Sequence, residues 1–399
     1  MEGLINCLPA FRRRALMTIS VALFALPAAA GSLEQAKRIH DRLAGVPPSA
    51  SVLLDMKNKI DSNDKIGAAF EAMDNKAFYN ATLKNWAAPW TNRDGDKFAP
   101  LNDYSATVIG IVRDQLDYRS VLYDDILYVG ETTAPVTAPY SNSDNANYQQ
   151  LEANDVNLGD ATKLVKKTQS QVTGLPSTAT AGVITSRAAA RAFFIDGTNR
   201  AMFRFTLKNH LCNDMEQVQE ITRPSDRIRR DVSRSPGGDS RIFMNTCIGC
   251  HSGMDPMAQA FAYYNYSYPA PGSEDSGHLE YTVGVVQPKY HINENHFMEG
   301  YNTPNDHWDN YWRSGPNTAI LGWAAGAGSG DGAKSMAQEL ANSDAFAVCS
   351  VKKVFQTVCL RAPAPGDQSA FTAMLTSFKT NNYNLKHTFA EAAVYCAGN

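Results

Sequence analysis

Two cysteines and a histidine lie close together in the second half of the sequence, where residues 247–251 read CIGCH. The spacing C-x-x-C-H is that of a c-type haem attachment site. In such a site two thiols, here Cys247 and Cys250, add across the haem vinyl groups, and the adjacent imidazole, here His251, binds the iron. A redox dithiol would need a βαβ context and a zinc site a second ligand pair, and the sequence indicates neither. The motif therefore predicts one covalently bound haem c.

The ligand on the opposite face of the iron decides what such a haem does. A methionine or histidine there produces an electron carrier, whereas an open position allows chemistry with peroxide, oxygen or nitric oxide. Met298 is the first candidate, because its separation of 47 residues from His251 is typical of small c-type cytochromes. The alternatives are Met336, His291, His296 and an open site.

Several residues near the motif are candidates for contact with the haem ring or its propionates. Met254 follows His251 by three residues, so it is badly placed to reach the opposite haem face and is expected to contact the ring. Tyr264 belongs to a group of tyrosines whose flat rings suit a pocket wall, or which are ordinary core residues. Arginines before the motif would neutralise propionates or form a solvated helix; they are Arg223, Arg227, Arg229, Arg230, Arg234 and Arg241.

The motif continues beyond the histidine, because residues 247–256 read CIGCHSGMDP, or C-x-x-C-H-x-x-M-D-P. This element resembles the haem domain of the planctomycete-type cytochrome c proteins, which are large exported bacterial proteins. The stretch Met336–Cys349 is similar to the helix that follows the haem segment in that family. The resemblance covers approximately residues 200–362, and it implies haem binding and electron transfer by the two cysteines and the histidine. The segment 269–311 departs from the family pattern, and no substrate is implied.

The first thirty residues have the organisation of a secretory signal peptide. Arg12–Arg14 supply the positive charge, Ala15–Leu26 the apolar core, and Ala28–Ala30 a small-residue cleavage site. The apolar run is too short to span a bilayer, although an uncleaved anchor is the alternative. No later stretch approaches membrane length, so we expect no transmembrane segment in the mature chain. Because covalent haem is normally attached after export, the leader and the haem motif together predict a periplasmic protein.

The composition is that of a globular protein with a sizeable core. Of the 399 residues, 44% are hydrophobic and 19% are charged, and the formal net charge is −3. This length allows two or three domains. The slight excess of acidic over basic residues argues against a nucleic-acid partner.

The hydrophobic spacing predicts a mainly α-helical fold with a multi-helix N-terminal region and an α-helical, cytochrome c-like haem domain with long loops. A helix is expected to begin with a capping box at Ser32 and to end at Gly45. The further predicted helices are Ser51–Ile60, Lys76–Ala87, Tyr104–Leu116, Ser186–Leu211, Met336–Leu360 and Leu385–Tyr395.

Other sequence patterns predict one strand and two connecting segments, and together with the helices they divide the chain into three parts. Leu279–Val286 has the only good strand pattern, and 131–160 and Gly322–Gly332 are expected to be loops or connections. The first predicted part is a signal peptide over residues 1–30. A helical N-terminal region of unknown role follows over residues 31–170, and a haem domain with C-terminal helices covers residues 171–399.

Four cysteines outside the leader and the motif suggest two disulfides in an exported chain, with free thiols as the alternative. Cys349 and Cys359 are excluded as a pair, because a continuous helix would separate them by about 15 Å along its axis. A disulfide needs Cα atoms within roughly 7 Å. The open pairings are Cys212–Cys349 with Cys359–Cys396, or Cys212–Cys359 with Cys349–Cys396.

The leading hypothesis is a periplasmic monohaem c-type cytochrome that transfers single electrons between redox partner proteins. The first alternative is a haem enzyme of the peroxidase or oxidase kind, with an open or labile sixth iron position. The sequence contains no second C-x-x-C-H, which argues against the dihaem peroxidase type. The second alternative is a partner- or polymer-binding module with a structural or sensing haem. The region 31–200 is larger than a carrier needs, so we expect it to dock a partner or shield the haem.

Overall fold

The computed structural model describes residues 31–195, 197–223, 235–291 and 302–398. This part of the chain is mainly helical, as predicted, and contains three small antiparallel pairs of strands. The helices are α1 Ser32–Ala44, α2 Ala50–Asp61, α3 Lys65–Met73, α4 Lys84–Ala87, α5 Asp103–Arg113, α6 Ser120–Tyr123, α7 Ala146–Ala153, α8 Gln169–Thr173, α9 Arg187–Phe193, α10 Arg200–His210, α11 Ser240–Ile242, α12 Ile248–Ala258, α13 Asn317–Leu321, α14 Gly332–Ala341, α15 Asp344–Cys359, α16 Gln368–Thr380 and α17 Leu385–Ala397. The strands are β1 Leu127–Gly130, β2 Leu164–Lys167, β3 Tyr264–Ser267, β4 His278–Tyr281, β5 His307–Asp309 and β6 Ser329–Asp331.

Helices from the two ends of the described chain pack together. The α1, α2 and α3 helices contact one another, and α1 and α3 also pack on α17, which in turn packs on α15 and α16. The helical spacing of Ile39 and Leu43 places both side chains on the buried face of α1. The helix ends before Gly45, which has a left-handed φ of 72°, as predicted. The predicted capping box is wrong, because Ser32 is already helical and the residue before it, Gly31, offers no side chain.

The α5 helix lies at the centre of the N-terminal half, and all of its residues are buried. Asn102 and Ser105 cap its first turn reciprocally, which satisfies backbone groups that water cannot reach. Asp103 accepts hydrogen bonds from the backbone N–H groups of Arg187 and Ala188 and so joins α5 to the start of α9.

A single buried hydrophobic cluster extends from Ala36 to Ala397 and includes side chains on both sides of residue 170. The two parts of the chain therefore share a core in this structure. The division into an N-terminal region and a haem domain stays a prediction.

The helix expected over Ser186–Leu211 is interrupted between α9 and α10. Gly197 and Asn199 have left-handed φ angles of 57°, which an α-helix does not accommodate. The Asn199 amide donates to the carbonyls of Phe261 and Tyr264, each at 2.9 Å. These long-range bonds favour the break over local helix propensity, and they place the start of α10 beside β3.

Four other expectations are corrected, for one helix, one strand and two connections. The helix expected over Met336–Leu360 divides into α14 and α15, because Ser343 caps α15 by accepting a hydrogen bond from the Phe346 N–H. The strand expected over Leu279–Val286 ends at Tyr281, shortly before a left-handed glycine at position 284. The two expected connections contain regular structure, since α7 forms in the first and β6 in the second.

The four cysteines outside the motif form two disulfides, Cys212–Cys349 and Cys359–Cys396, with Cα–Cα distances of 5.3 and 5.5 Å. This is one of the two pairings that the sequence left open. The α15 helix is continuous from Asp344 to Cys359, which agrees with the geometric exclusion of a pair within it. Within the described ranges, the structure has no helix that is both long and apolar enough to cross a membrane.

Candidate haem-attachment site

The two motif cysteines and the histidine lie on one face of α12. Cys247 immediately precedes the helix, and helical geometry places Cys250 and His251 with it within an arc of roughly 100°. All three residues and Ile248 are half-buried, whereas Gly249 and Ser252 are buried. The helix therefore presents one accessible face, and the chemistry-bearing side chains lie on it.

The thiols of Cys247 and Cys250 are free, whereas the other four described cysteines are paired in disulfides. Burial raises the pKa of the Cys250 thiol, and the negative charge of Glu216 adds to the effect. This sulfur is therefore held as a thiol. Two free thiols one helical turn apart, beside an imidazole, are the donor set that a covalent haem requires.

The His251 ring is oriented by a carboxylate on its own helix. Its Nδ1 atom lies 3.0 Å from both carboxylate oxygens of Asp255, one turn further along α12. Because the carboxylate accepts a hydrogen bond, the proton of the neutral ring lies on Nδ1 and the lone pair on Nε2. Among the described residues none hydrogen-bonds to Nε2. In that tautomer Nε2 is the nitrogen through which the ring could bind a metal.

Asp255 is itself held by an arginine from a neighbouring helix. Its side chain is 2% exposed, and the Nε atom of Arg200 at the start of α10 lies 2.7 Å from Oδ1. Burial raises the pKa of Asp255, but the charges and hydrogen bonds of Arg200 and His251 outweigh this effect and lower the pKa to about 2. The carboxylate is therefore ionised near neutral pH and remains an acceptor for the Nδ1 proton.

A close contact on another side of α12 fixes the position of the helix. A Cβ atom at Gly253 would lie 2.2 Å from the indole of Trp312, so only glycine permits this approach. Trp312 is completely buried and also packs against Phe203 of α10, with 5.8 Å between ring centroids. Packing against α10 and this tryptophan therefore holds the helix that carries the cysteines and the histidine.

The predicted haem contacts lie in different surroundings. Met254 is almost completely buried on α12, one turn beyond Cys250. Tyr264 is buried in β3, where its hydroxyl donates to the Ala179 carbonyl at 2.6 Å and its ring packs against Phe194. Those contacts are typical of a core residue. The roles of Met254 and Tyr264 at a haem stay predictions.

The sixth iron ligand also stays a prediction. Met298, the first candidate, and His296 lie outside the described residues. Met336 is fully buried in α14, a helix that packs mainly against α6 and against the turn after α12. His291 is half-buried and directly precedes the undescribed segment.

Two of the six arginines considered for the propionates are described. The guanidinium of Arg223 lies over the ring of Tyr311, with its central carbon 3.7 Å from the ring centroid. Arg241 is exposed and forms a forked ion pair with Asp239. The other four lie outside the described residues, so a role of these arginines at the propionates stays a prediction.

Sequence reasoning missed Arg200 and the function of Asp255. The spacing of four residues between His251 and Asp255 within a helix was a readable signal, because such residues are neighbours on a helix surface. Arg200 gives no comparable signal, since it precedes the carboxylate by 55 residues and meets it only through the packing of α10 on α12.

Comparison of the chain with protein-family models, with curated proteins and with solved structures finds no match. Within the part of the chain that the structure describes, no three His, Cys, Asp or Glu side chains are grouped so that they could hold a metal ion. The residues that bear on function are therefore those of the C-x-x-C-H motif and their neighbours on α12.

Proposed function

We propose that this chain is a periplasmic c-type cytochrome that carries one covalent haem and transfers single electrons between redox partner proteins. The observation that supports this proposal is the arrangement on α12. Two free thiols lie on one face with an imidazole whose Nδ1 is engaged by a buried carboxylate and whose Nε2 has no described hydrogen-bond partner. The residues present thus fit the group that the motif predicts.

Cys247 and Cys250 would hold the haem through thioether bonds, and His251 would bind the iron through Nε2. In each attachment a sulfur–carbon bond would form to one vinyl carbon and the thiol hydrogen would go to the other, so no group would leave. The reaction requires free thiols, which is the state of both cysteines. The bound haem supplies a one-electron couple between ferric and ferrous iron.

The surrounding residues hold the histidine in one orientation. Asp255 keeps the proton on Nδ1, so the lone pair of the ring remains on Nε2. Gly253 lets α12 pack closely against the buried Trp312 indole, since a Cβ at this position would lie 2.2 Å from that ring. A preorganised ligand of this kind changes little between two oxidation states, and this favours fast electron exchange.

The proposed compartment and partners follow from the same chemistry. The predicted signal peptide, residues 1–30, lies outside the described residues. The two disulfides are compatible with an oxidising compartment, where disulfides persist. Contacts with redox partners would be small and transient, as is usual for electron-transfer complexes.

A haem enzyme is the second candidate, and one observation favours it. An anionic hydrogen-bond partner at Nδ1 makes the imidazole a stronger electron donor. Strong donation from the proximal ligand assists cleavage of an oxygen–oxygen bond when the opposite iron position is open. The His251–Asp255 pair would therefore also suit a peroxidase-like function.

Extraction and visible spectroscopy of the full-length protein, purified from a bacterial strain competent for cytochrome maturation, test both candidates. Pigment that resists acid–butanone extraction, with a six-coordinate low-spin spectrum unchanged by carbon monoxide or peroxide, supports the carrier. A high-spin ferric form that binds carbon monoxide after reduction and turns over peroxide supports the enzyme. Colourless protein, or pigment that acid–butanone removes, contradicts both.

A further inference from the structure

The carboxylate of Asp255 bridges two groups of different character. One is the His251 imidazole, with Nδ1 at 3.0 Å, and the other is the Arg200 guanidinium, with Nε at 2.7 Å from the same Oδ1 atom. The bridging side chain is 2% exposed, so water screens these interactions little. A change at either neighbour of the carboxylate is therefore transmitted to the other.

We infer that Asp255 and Arg200 are positioning residues that act in opposite directions on the reduction potential of the proposed haem site. The inference rests on the proposed function and deepens it, because it assigns the control of the potential to two residues outside the C-x-x-C-H motif. It concerns only side chains that the structure describes.

Asp255 lowers the potential. A carboxylate that accepts the Nδ1 proton gives the imidazole partial anionic character and makes Nε2 a stronger donor. A stronger donor and a nearby negative charge stabilise ferric iron more than ferrous iron, because the ferric state carries one more positive charge. Replacement by asparagine retains the size of the side chain and removes the charge, so the potential should rise.

Arg200 opposes this effect. Its Nε–H donates to the oxygen that also faces His251, and a second guanidinium nitrogen lies 3.4 Å from the other oxygen. The positive charge withdraws electron density from the carboxylate and so weakens its attraction for the Nδ1 proton. Without the guanidinium, Asp255 would act on the imidazole at full strength, and the potential should fall.

The chain offers a matched control on the same helix. Arg204 lies one turn after Arg200 on α10 and forms a forked pair with Asp214, with its Nε 2.6 Å from Oδ1. Its charge also acts on the Cys250 thiol, so Arg204 is close to the attachment site. Arg204→Gln therefore removes an equal charge nearby and leaves the Asp255 bridge intact.

The test is a spectroelectrochemical titration of the haem-loaded full-length protein and the variants Asp255→Asn, Arg200→Gln and Arg204→Gln. We expect Asp255→Asn to shift the ferric–ferrous equilibrium at least tenfold toward ferrous iron, which is a rise of about 59 mV for one electron. We expect Arg200→Gln to shift it severalfold toward ferric iron, by more than Arg204→Gln does. Circular dichroism establishes that each variant is folded.

The opposite signs distinguish the inference from a purely structural role, since general loosening of the site would move both variants in the same direction. Shifts of the same sign, or shifts no larger than that of Arg204→Gln, would overturn it. If Asp255→Asn fails to fold, a fall in potential in Arg200→Gln beyond the control supports the inference, and a rise or no difference overturns it. A wild-type protein without covalent haem refutes the proposed function and the inference with it, whereas a loaded wild type with unresponsive variants refutes the inference alone.

Discussion

Two regions of the molecule contain the same residue types, one histidine and two cysteines, in opposite settings. His251 and the motif cysteines lie on the accessible face of α12, beside an ionised carboxylate. His210 and Cys349 are buried where the end of α10 meets α15, and the half-buried Cys212 is joined to Cys349 by a disulfide. The surroundings, rather than the residue types, therefore decide whether such a group is available for chemistry.

His210 is enclosed by aromatic rings. The Tyr104 hydroxyl lies 2.6 Å from its Nε2, and the Trp90 and Phe346 rings pack around it. Burial, together with repulsion from Lys353, lowers the pKa of His210 to about 3. This histidine is neutral at physiological pH, its Nε2 is already occupied, and we assign it a structural role.

The two pairs of cysteines differ in the same way. Cys212 and Cys349 come from separate elements whose packing brings their Cα atoms to 5.3 Å, so they form a disulfide. Cys247 and Cys250 lie one turn apart on a single helix with both thiols free. Packing thus joins one pair in a disulfide and leaves the thiols of the other pair free.

The largest expected effect comes from replacing both motif cysteines by alanine. The double variant Cys247→Ala and Cys250→Ala should lose all covalent pigment, because no thiol remains at α12 to form a thioether bond. The absorption spectrum after acid–butanone extraction measures this loss. Covalent pigment that remained in the double variant would mean that the haem is attached elsewhere.

The matched change in the other region should affect stability and leave the pigment unchanged. Replacing Cys212 and Cys349 by alanine should lower the free energy of unfolding by about 2–5 kcal/mol, because the unfolded chain loses a constraint between distant residues. Urea unfolding of the haem-loaded protein measures the change. Loss of covalent pigment in this variant would contradict the assignment of haem attachment to the motif cysteines and of a stabilising role to the disulfide.

Gly253 tests whether α12 is held as closely as the structure indicates. Gly253→Ala should lower the free energy of unfolding by about 1–3 kcal/mol, because the added methyl group meets the buried Trp312 indole at 2.2 Å. Gly366→Ala is the control, since nothing lies within 4 Å of a Cβ at that position. Equal thermal stability of the two variants would show that the tryptophan does not pack closely against the helix.

A further effect of similar size is expected in the pH dependence of stability at His210. Its folded-state pKa, about 3, lies below the ordinary value of 6.5, so the unfolded chain takes up the proton first as the pH falls. The contribution of neutral His210 to the free energy of unfolding is present above pH 6.5 and is lost as the pH falls toward 3. Lowering the pH from 7 to 5 should therefore reduce the free energy of unfolding by about 2 kcal/mol.

The variant His210→Gln should lack that part of the pH dependence, since glutamine accepts a hydrogen bond from Tyr104 without titrating. Urea unfolding at pH 7 and at pH 5 compares the two proteins. An identical loss of stability in the wild type and the variant would show that His210 is not buried as a neutral group.

Local patterns were sufficient for much of the fold and failed where distant contacts decide the structure. The helical periodicity of α1, the glycine at its end and the exclusion of a Cys349–Cys359 pair could be predicted from the sequence. The break before α10 could not be predicted, because the buried Asn199 amide donates to carbonyls more than sixty residues away. Helix propensity contains no information about such partners.

In the candidate site, too, local features could be predicted from the sequence and distant contacts could not. The motif gives the thiols and the imidazole, and the spacing of Asp255 on the helix was available to sequence reasoning. The Arg200 partner and the packing of Trp312 on Gly253 depend on how α10 and the segment after β5 fold against α12. Only the three-dimensional arrangement shows that the His251 ring has one engaged nitrogen and one nitrogen with no described partner.

Covalent haem attachment is tested most directly by a mass measurement on the peptide that contains residues 247–251, prepared from protein made in a maturation-competent strain. We expect this peptide to carry the mass of one haem, with both cysteines modified and resistant to alkylation. A peptide of unmodified mass whose two thiols react with the alkylating reagent, or are joined to each other, would contradict it.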